Sequence, residues 1–169
     1  MERKNLWAPW RIKYIKGLFE DSDCFICDYV KRPDDDRENF VLWRTDHCIV
    51  TFNKFPYNNG HLLIAPVRHI GNLDDASDQE LLELTKLTRD CQTALKQAIK
   101  PQGFNVGMNF GRCAGAGLPD HMHIHVVPRW NGDTNYMHVC SDTDVISQSL
   151  TELYDELKEI SAKMNLPKV

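Results

Sequence analysis

The chain has 169 residues, of which 42% are hydrophobic and 26% charged, and its formal net charge is −4. This balance and length suit an ordinary soluble globular protein with one real core. The negative charge disfavours nucleic acid and acidic membranes as partners, so any phosphate site must be built locally. No stretch approaches the roughly 20 apolar residues of a membrane span, and the N-terminus lacks a signal-peptide core, so we expect a cytoplasmic protein.

The chain is predicted to form a single domain over residues 1–169. Its N-terminal arm, about residues 1–19, contains the aromatic, proline-broken run from Leu6 to Arg11. A core over about residues 20–140 and a C-terminal helix over about 144–164 follow. Six cysteines are present without a secretion signal, so a disulfide framework is not expected. The isolated ones are predicted to be reduced core residues: Cys48, Cys91 and Cys140.

One pair of cysteines differs from the others because it is closely spaced. Cys24 and Cys27 form a Cys-x-x-Cys unit, the spacing at which two thiolates hold zinc in a zinc knuckle. The same spacing also occurs in redox pairs and in two ordinary core thiols. No thioredoxin-like βαβ pattern follows the pair, which disfavours the redox interpretation. The zinc and core interpretations stay open at this point.

Apolar runs bounded by turn residues predict strands in the middle of the chain. These strands lie at Phe40–Trp43, Cys48–Phe52, His61–Pro66, Phe104–Asn109 and His121–Pro128. Between the third and fourth strands, Ser77 and Glu80 form a capping box, which begins a helix whose apolar residues recur at helical spacing from Leu81 to Ala98. Pro101 and Gly103 end this helix.

An amphipathic helix closes the chain, and its apolar face is formed by Ile146, Leu150, Leu153, Leu157 and Ile160. Strands, one long helix, further strands and a last helix are typical of an α+β fold. We therefore predict an antiparallel sheet with one face covered by the long helix.

The segment from Asp120 to Trp130 carries three histidines at alternate positions. On a strand, His121, His123 and His125 share one face and stand roughly 7 Å apart. The intervening residues then face the core: Met122, Ile124 and Val126. Three interpretations are open. They are half-exposed surface histidines, a metal site using all three rings, or nucleophilic catalysis in which a neutral imidazole attacks phosphorus.

The residues before the histidines favour the last interpretation. Five glycines or alanines lie within Gly111–Gly117, and such a loop lets backbone N–H groups approach an anion closely. Alone this is weak, because a flexible hairpin loop has the same composition. Directly before a row of histidines, it predicts a phosphate cradle beside a nucleophile.

His-x-His-x-His followed by apolar residues, Pro128 and Arg129 resembles the histidine triad superfamily of nucleotide hydrolases and transferases. The resemblance extends over about residues 5–150. The stretch from Asn53 to Pro66 is similar to the family's nucleoside-binding hairpin, and Asn109 falls where the family places a phosphate-contacting amide. His61 in that hairpin is left between a core hydrogen bond and a role in the site.

Two further runs look closest to one bacterial branch of the family, which includes diadenosine tetraphosphate phosphorylases. They are the tail Pro128–Met137 and the opening Trp7–Arg11. The resemblance implies a sheet of about five strands, usually paired in a homodimer, with the nucleotide lying over the triad. It also implies phosphorolysis of a diadenosine polyphosphate to ATP and ADP. The alternatives are AMP-releasing hydrolysis of dinucleoside polyphosphates or nucleoside phosphoramidates, a non-catalytic nucleotide-binding module, and a metal-binding protein using all three triad histidines.

The resemblance also implies roles for single residues. His123 is expected to be the nucleophile that becomes nucleotidylated, and His125 to hydrogen-bond phosphoryl oxygens or assist the leaving group. His121 is expected to orient the site or bind metal. Asn53 is expected to hold the ribose hydroxyls, and Asn109 to contact phosphate.

The sequence departs from the family pattern in one place. Many relatives carry Gly-Gln-Ser/Thr shortly before the first histidine, whereas this chain has Gly115-Ala116-Gly117-Leu118-Pro119-Asp120. A phosphate-contacting hydroxyl is thus missing, and backbone N–H groups near Gly117 are expected to substitute for it. Arg129 is the best basic candidate near the phosphates.

The resemblance also bears on the cysteine pair. Zinc-bearing members of the family resemble this chain at four positions, so a structural zinc held by Cys24, Cys27, His69 and His121 is expected. Such a site would pin the N-terminal arm to the histidine strand and orient His121 beside His123. No organic cofactor is expected.

Overall fold

The structure, a computed structural model, describes residues 24–133 and 146–169. Its helices are α1 (Phe25–Lys31), α2 (Asp78–Ile99) and α3 (Leu150–Met164), and its strands are β1 (Val41–Arg44), β2 (Cys48–Phe52), β3 (Leu62–Pro66), β4 (Gly103–Met108) and β5 (Ile124–Arg129). The predicted α+β fold is confirmed. None of the helices in the described ranges is both long enough and apolar enough to cross a membrane.

The five strands form one antiparallel sheet in the order β1-β2-β3-β5-β4. β5, which contains His125 and directly follows His121 and His123, is therefore inserted between two strands that come earlier in the chain. On one side its His125 pairs with Leu63 of β3, and on the other with Gly107 of β4. The residues around His125 are consequently held by backbone hydrogen bonds on both sides.

The core lies between one face of the sheet and the helices α2 and α3. It includes Leu84, Leu87 and Leu95 from α2, Leu153 and Leu157 from α3, and Met122, Ile124 and Val126 from the histidine segment. Burying one such side chain stabilises a fold by about 1.5–3 kcal/mol. Cys48 and Cys91 are fully buried free thiols, as expected for core cysteines.

The structure corrects several boundaries. The C-terminal helix begins at Leu150 and not near residue 144, because the Ser149 side chain accepts the backbone N–H of Glu152 and caps the helix there. Ile146 accordingly precedes the helix. β5 begins at Ile124, so His121 and His123 lie just before the strand. Helix α1, which starts directly after Cys24, was not predicted.

Some predictions fall on residues that the structure does not describe. The N-terminal arm with Leu6–Arg11, the tail beyond Asp133 and Cys140 lie outside the described residues.

The capping box at the start of α2 gives the first testable prediction. Ser77 accepts the backbone N–H of Glu80, and the Glu80 carboxylate accepts the N–H of Ser77 as well as two N–H groups of Arg68. Ser77→Ala should therefore lower the free energy of unfolding by about 1 kcal/mol. Urea unfolding followed by circular dichroism measures it. Thr85→Ala, at an exposed mid-helix position, is the control and should not lower stability. Equal stability of Ser77→Ala and the unmodified protein would contradict this account of the helix start.

Candidate active site

The three histidines lie together on the sheet face opposite the core. Met122, Ile124 and Val126 alternate with them and are buried in the core, as predicted. The rings of His123 and His125 contact edge to face, with centroids 4.9 Å apart and planes inclined by 65°. This is closer than the roughly 7 Å rise between alternate strand residues, because the rings turn towards each other. His121 is fully buried and His123 is 8% exposed.

Hydrogen bonding fixes which ring nitrogen of His123 carries the proton. Its Nδ1 lies 2.9 Å from the backbone carbonyl of His121. A carbonyl oxygen only accepts, so Nδ1 must be the protonated nitrogen, and it donates to that carbonyl. In the neutral ring, Nε2 then carries the lone pair. His123 is thus arranged as an acceptor, and chemically as a nucleophile, at Nε2.

His125 has the opposite tautomer because of His61. The backbone N–H of Tyr57 and the side-chain amide of Asn53 both approach His61 Nδ1, at 3.2 and 3.3 Å. Nδ1 of His61 therefore accepts, and its protonated Nε2 donates to His125 Nδ1 at 2.9 Å. Neutral His125 then carries its proton on Nε2. The two neighbouring rings consequently offer a lone pair at His123 and an N–H donor at His125.

Burial keeps these imidazoles uncharged near neutral pH. Desolvation lowers the pKa of His123 below its usual value. Burial, helped by the nearby His123, lowers the pKa of His125 to about 4. The pKa of His61 falls to about 3, chiefly by burial and then by the proximity of His125 and His123. Only the neutral ring of His123 has a free lone pair, so burial favours the reactive form.

A second cluster adjoins the first. Cys24, Cys27, His69 and His121 place one donor atom each within 4.8 Å of one another. Cys24 Sγ lies 3.0 Å from His121 Nδ1, and Cys27 Sγ lies 3.2 Å from His69 Nδ1. His121 donates its Nε2–H to the carbonyl of Pro66 at 2.8 Å, which leaves the lone pair of Nδ1 directed at the cysteines. Two thiols and two imidazoles converging in this way could hold a metal ion.

Helix α1 positions the two cysteines. Cys24 occupies its N-cap, and Cys27 lies one turn further on. Ile26 and Tyr29 of the same helix pack on the sheet against Val41, Ile49 and Ala65. Burial of one helix face therefore directs the thiols at His121.

The three triad rings use their nitrogens in three different directions. His121 faces the cysteines, His123 a backbone carbonyl and His125 the ring of His61. A metal site made of all three rings would need their lone pairs to converge. Within residues 24–133 and 146–169, the group of possible metal ligands found is the Cys/His cluster. The geometry therefore disfavours the three-histidine metal site.

The glycine-rich segment forms a tight loop after β4. A short 3₁₀ turn spans Arg112–Ala114, and both Gly111 and Gly115 have positive φ, at 78° and 90°. Asn109 lies next to this loop, since a Cβ added to Gly115 would come within 3.8 Å of its side-chain nitrogen. The Asn109 amide makes no hydrogen bond to any described residue. Gly117 is exposed, and nothing lies within 4 Å of where its Cβ would be. Both are thus accessible to a ligand.

Two residues that are predicted to bind the nucleotide already have hydrogen-bond partners within the protein. Asn53 Oδ1 accepts the N–H of Phe55 at 2.9 Å, while its amide nitrogen approaches His61. Arg129 binds the carboxylate of Asp133 with Nε and Nη2 at 2.6 and 3.0 Å, and donates Nη1 to Asn105. The positive charge of Arg129 is therefore largely matched within the protein. Their roles as ribose and phosphate contacts stay predictions.

The sequence of this chain is similar to those of known proteins. A model of the HIT domain matches residues 35–132. The chain belongs to the histidine triad family. An AP-4-A phosphorylase from Mycobacterium tuberculosis is 36% identical over 155 residues, which cover 88% of this chain and 80% of that protein. An asymmetrical bis(5'-nucleosyl)-tetraphosphatase from Schizosaccharomyces pombe is 28% identical over 138 residues, 76% of this chain and 75% of that protein.

A solved structure supports the fold assignment. The Zn-bound histidine triad family protein from Mycobacterium smegmatis superposes with a TM-score of 0.68 at 21% identity, covering 85% of this chain and 96% of that chain. This similarity concerns the fold. It places the five-stranded sheet of the present chain among histidine triad structures.

Two features of this histidine triad site were not assigned from the sequence. His61 is the first, and its role depends on the register that brings β3 beside β5. Gly107 is the second. It pairs with His125 in β4, and a Cβ there would meet no atom within 4 Å, so the sheet face beside His125 stays open. Both depend on strand pairing, which a single sequence does not reveal.

Proposed function

We propose that the protein is a nucleotidyl-transferring enzyme that cleaves diadenosine polyphosphates through a covalent intermediate on His123. The observation that carries the proposal is the hydrogen bond from His123 Nδ1–H to the carbonyl of His121, which leaves a lone pair on Nε2 of a neutral, buried ring. The family membership and the 36% identical AP-4-A phosphorylase support a nucleotide as substrate.

The first step forms one bond and breaks one. Nε2 of His123 attacks an α-phosphorus, the P–N bond forms, and the bond to the bridging oxygen of the leaving polyphosphate breaks. From diadenosine tetraphosphate this expels ATP and leaves AMP on the imidazole. The ring then carries positive charge, and the Nδ1–H bond to the carbonyl of His121 stabilises that charge.

His125 acts on the leaving group. Its Nε2–H, fixed by the hydrogen bond from His61, donates to a phosphoryl or leaving oxygen and stabilises negative charge there. A polyphosphate leaves as an anion near neutral pH, so this donor need not give up its proton. Because His61 and His125 stay neutral, the donor keeps one orientation through the step.

The second step is transfer of AMP to an acceptor, and we propose inorganic phosphate. Phosphate is an anion approaching a chain of net charge −4, so it needs local donors. The backbone N–H groups of the Gly111–Gly117 loop and the Asn109 amide are available. Arg112 in this loop is exposed and forms no ion pair with a described residue, whereas Arg129 is paired with Asp133. Arg112 is thus the better phosphate ligand of the two.

The second candidate is a hydrolase. The asymmetrical bis(5'-nucleosyl)-tetraphosphatase relative favours it, and in that case water replaces phosphate as the acceptor. The same loop would then serve only the leaving polyphosphate.

We further propose that Cys24, Cys27, His69 and His121 bind zinc. Two thiolates and two imidazoles are a preferred zinc donor set, and the lone pair of His121 Nδ1 already faces the cysteines. When bound, the ion would supply structural cross-linking and fix the orientation of His121, since four protein ligands leave no open position for substrate. The reaction at phosphorus uses the chain's own histidines.

The expected homodimer stays a prediction. β4 is an edge strand of the sheet, and its Val106 is 46% exposed. An exposed edge of this kind is a surface to which a second copy could add.

Removing the nucleophile tests the mechanism. His123→Ala should lower kcat on diadenosine tetraphosphate by roughly 10⁴-fold or more, because the covalent intermediate cannot form. His47→Ala, an exposed histidine away from the triad, is the matched control and should keep full activity. The quenched proteins are then analysed by mass spectrometry. Covalently bound AMP should be found on the enzyme that retains His123 and not on the His123→Ala variant. A His123→Ala variant with a tenth of normal turnover would refute the mechanism.

Product analysis tests the acceptor. With diadenosine tetraphosphate and millimolar phosphate at neutral pH, ADP should replace AMP as the partner product of ATP. Arg112→Ala should shift the products back towards AMP if that guanidinium holds the phosphate, with Arg32→Ala, an exposed cation on the α1 side, as control. An AMP yield that does not change with phosphate concentration would assign the protein as a hydrolase.

Elemental analysis tests the metal. The purified protein should carry about one zinc per chain, and Cys24→Ser or Cys27→Ser should lose it and melt at a lower temperature, because metal binding energy at such a site contributes to folding. Cys113→Ser, an exposed thiol outside the cluster, should keep the zinc. Protein prepared without chelator that contains no metal would reject this assignment.

A further inference from the structure

One large aromatic residue beside the site is exposed. Tyr57 lies in the loop between β2 and β3, and 57% of its surface is accessible. A tyrosine combines an apolar ring with a polar hydroxyl, and for that reason tyrosines are enriched at contact surfaces. The proposed mechanism leaves this ring without a task.

The ring of Tyr57 is held in a defined place. It stacks on the ring of His125, with centroids 5.7 Å apart and planes inclined by only 23°, and it contacts His61 at 4.6 Å. Its backbone N–H donates to His61 Nδ1, which ties the loop to the same pair. The imidazoles support the ring from one side, while more than half of its surface remains open. Tyr57 therefore extends the aromatic layer of the site towards solvent.

The contacts between these rings indicate which part of the substrate lies next to Tyr57. His123, the proposed nucleophile, contacts His125, and His125 contacts Tyr57. In an in-line displacement the leaving group departs away from the nucleophile, past the donor on His125. Tyr57 stacks on His125, so a leaving fragment that hydrogen-bonds to Nε2 of His125 lies beside the ring of Tyr57.

We propose that Tyr57 stacks on the nucleobase of the leaving nucleotide and so selects dinucleoside polyphosphates over substrates whose leaving group has no base. Stacking suits this role because every base has a π face and a tyrosine ring tolerates any of them. The inference rests on the proposed function, which supplies the leaving nucleotide, and it adds a binding contact for the second nucleoside.

A matched pair of ligands isolates this contact. Diadenosine tetraphosphate and adenosine 5'-tetraphosphate share the adenosine and the phosphate chain, and they differ in the second nucleoside. Binding is measured by calorimetry on the His123→Ala background, where no turnover interferes. The measured quantity is the ratio of the two dissociation constants.

Tyr57→Ala should weaken diadenosine tetraphosphate roughly tenfold relative to adenosine 5'-tetraphosphate, the size expected for one lost base stack. Tyr57→Phe should keep the ratio, because the ring remains. Leu82→Ala is the control: Leu82 is also 57% exposed, but it lies on α2 away from the triad, and its removal should leave the ratio unchanged.

Each remaining outcome overturns the inference. If Tyr57→Ala weakens both ligands equally, the ring only positions His125. If Tyr57→Ala changes neither dissociation constant, the second base binds elsewhere. Failure of the proposed function is seen separately. Full activity of a His123→Ala variant in which Tyr57 is unchanged would refute the covalent mechanism, and it would not affect this binding ratio.

Discussion

The site depends on the peptide between His121 and Met122, because its carbonyl accepts the proton of His123 Nδ1 while the ring of His121 belongs to the neighbouring Cys/His cluster. One residue thus joins two functions: its side chain faces the cysteines, and its backbone sets the tautomer of the ring beside it. Any movement of His121 rotates that carbonyl and with it the lone pair on His123. Anchoring of the His121 ring by Pro66 and by the cysteines is therefore also anchoring of the nucleophile.

Electrostatic balance around the triad is local. The chain as a whole is acidic, and several of its arginines are matched by carboxylates, as Arg68 is by Glu80 and Arg129 by Asp133. The histidines add no positive charge because burial lowers their pKa values. The site consequently relies on oriented N–H donors, on the backbone and on His125, which act without the desolvation cost of a buried cation.

Much of this architecture could be predicted from the sequence, because the signals are local. Alternation placed Met122, Ile124 and Val126 in the core, and the capping box at Ser77 marked the start of α2. The pairing of His61 with His125 could not be predicted, since it requires knowing that β3 and β5 are neighbours. The ion pair between Arg129 and Asp133 could not be predicted for a different reason. This carboxylate competes with any ligand for the N–H donors of Arg129, and the sequence does not show which of them binds. The late start of α3 reflects a second capping box, at Ser149, which was not recognised.

The insertion of β5 between β3 and β4 has a consequence for biosynthesis. Cys24 and Cys27 emerge from the ribosome almost a hundred residues before His121, and β3 and β4 have no common neighbour until Ile124–Arg129 has been made. A nascent chain therefore has both thiols and His69 before it has His121, and its sheet has a central gap. Both sites therefore share one requirement: neither is complete until the histidine segment occupies the gap between β3 and β4.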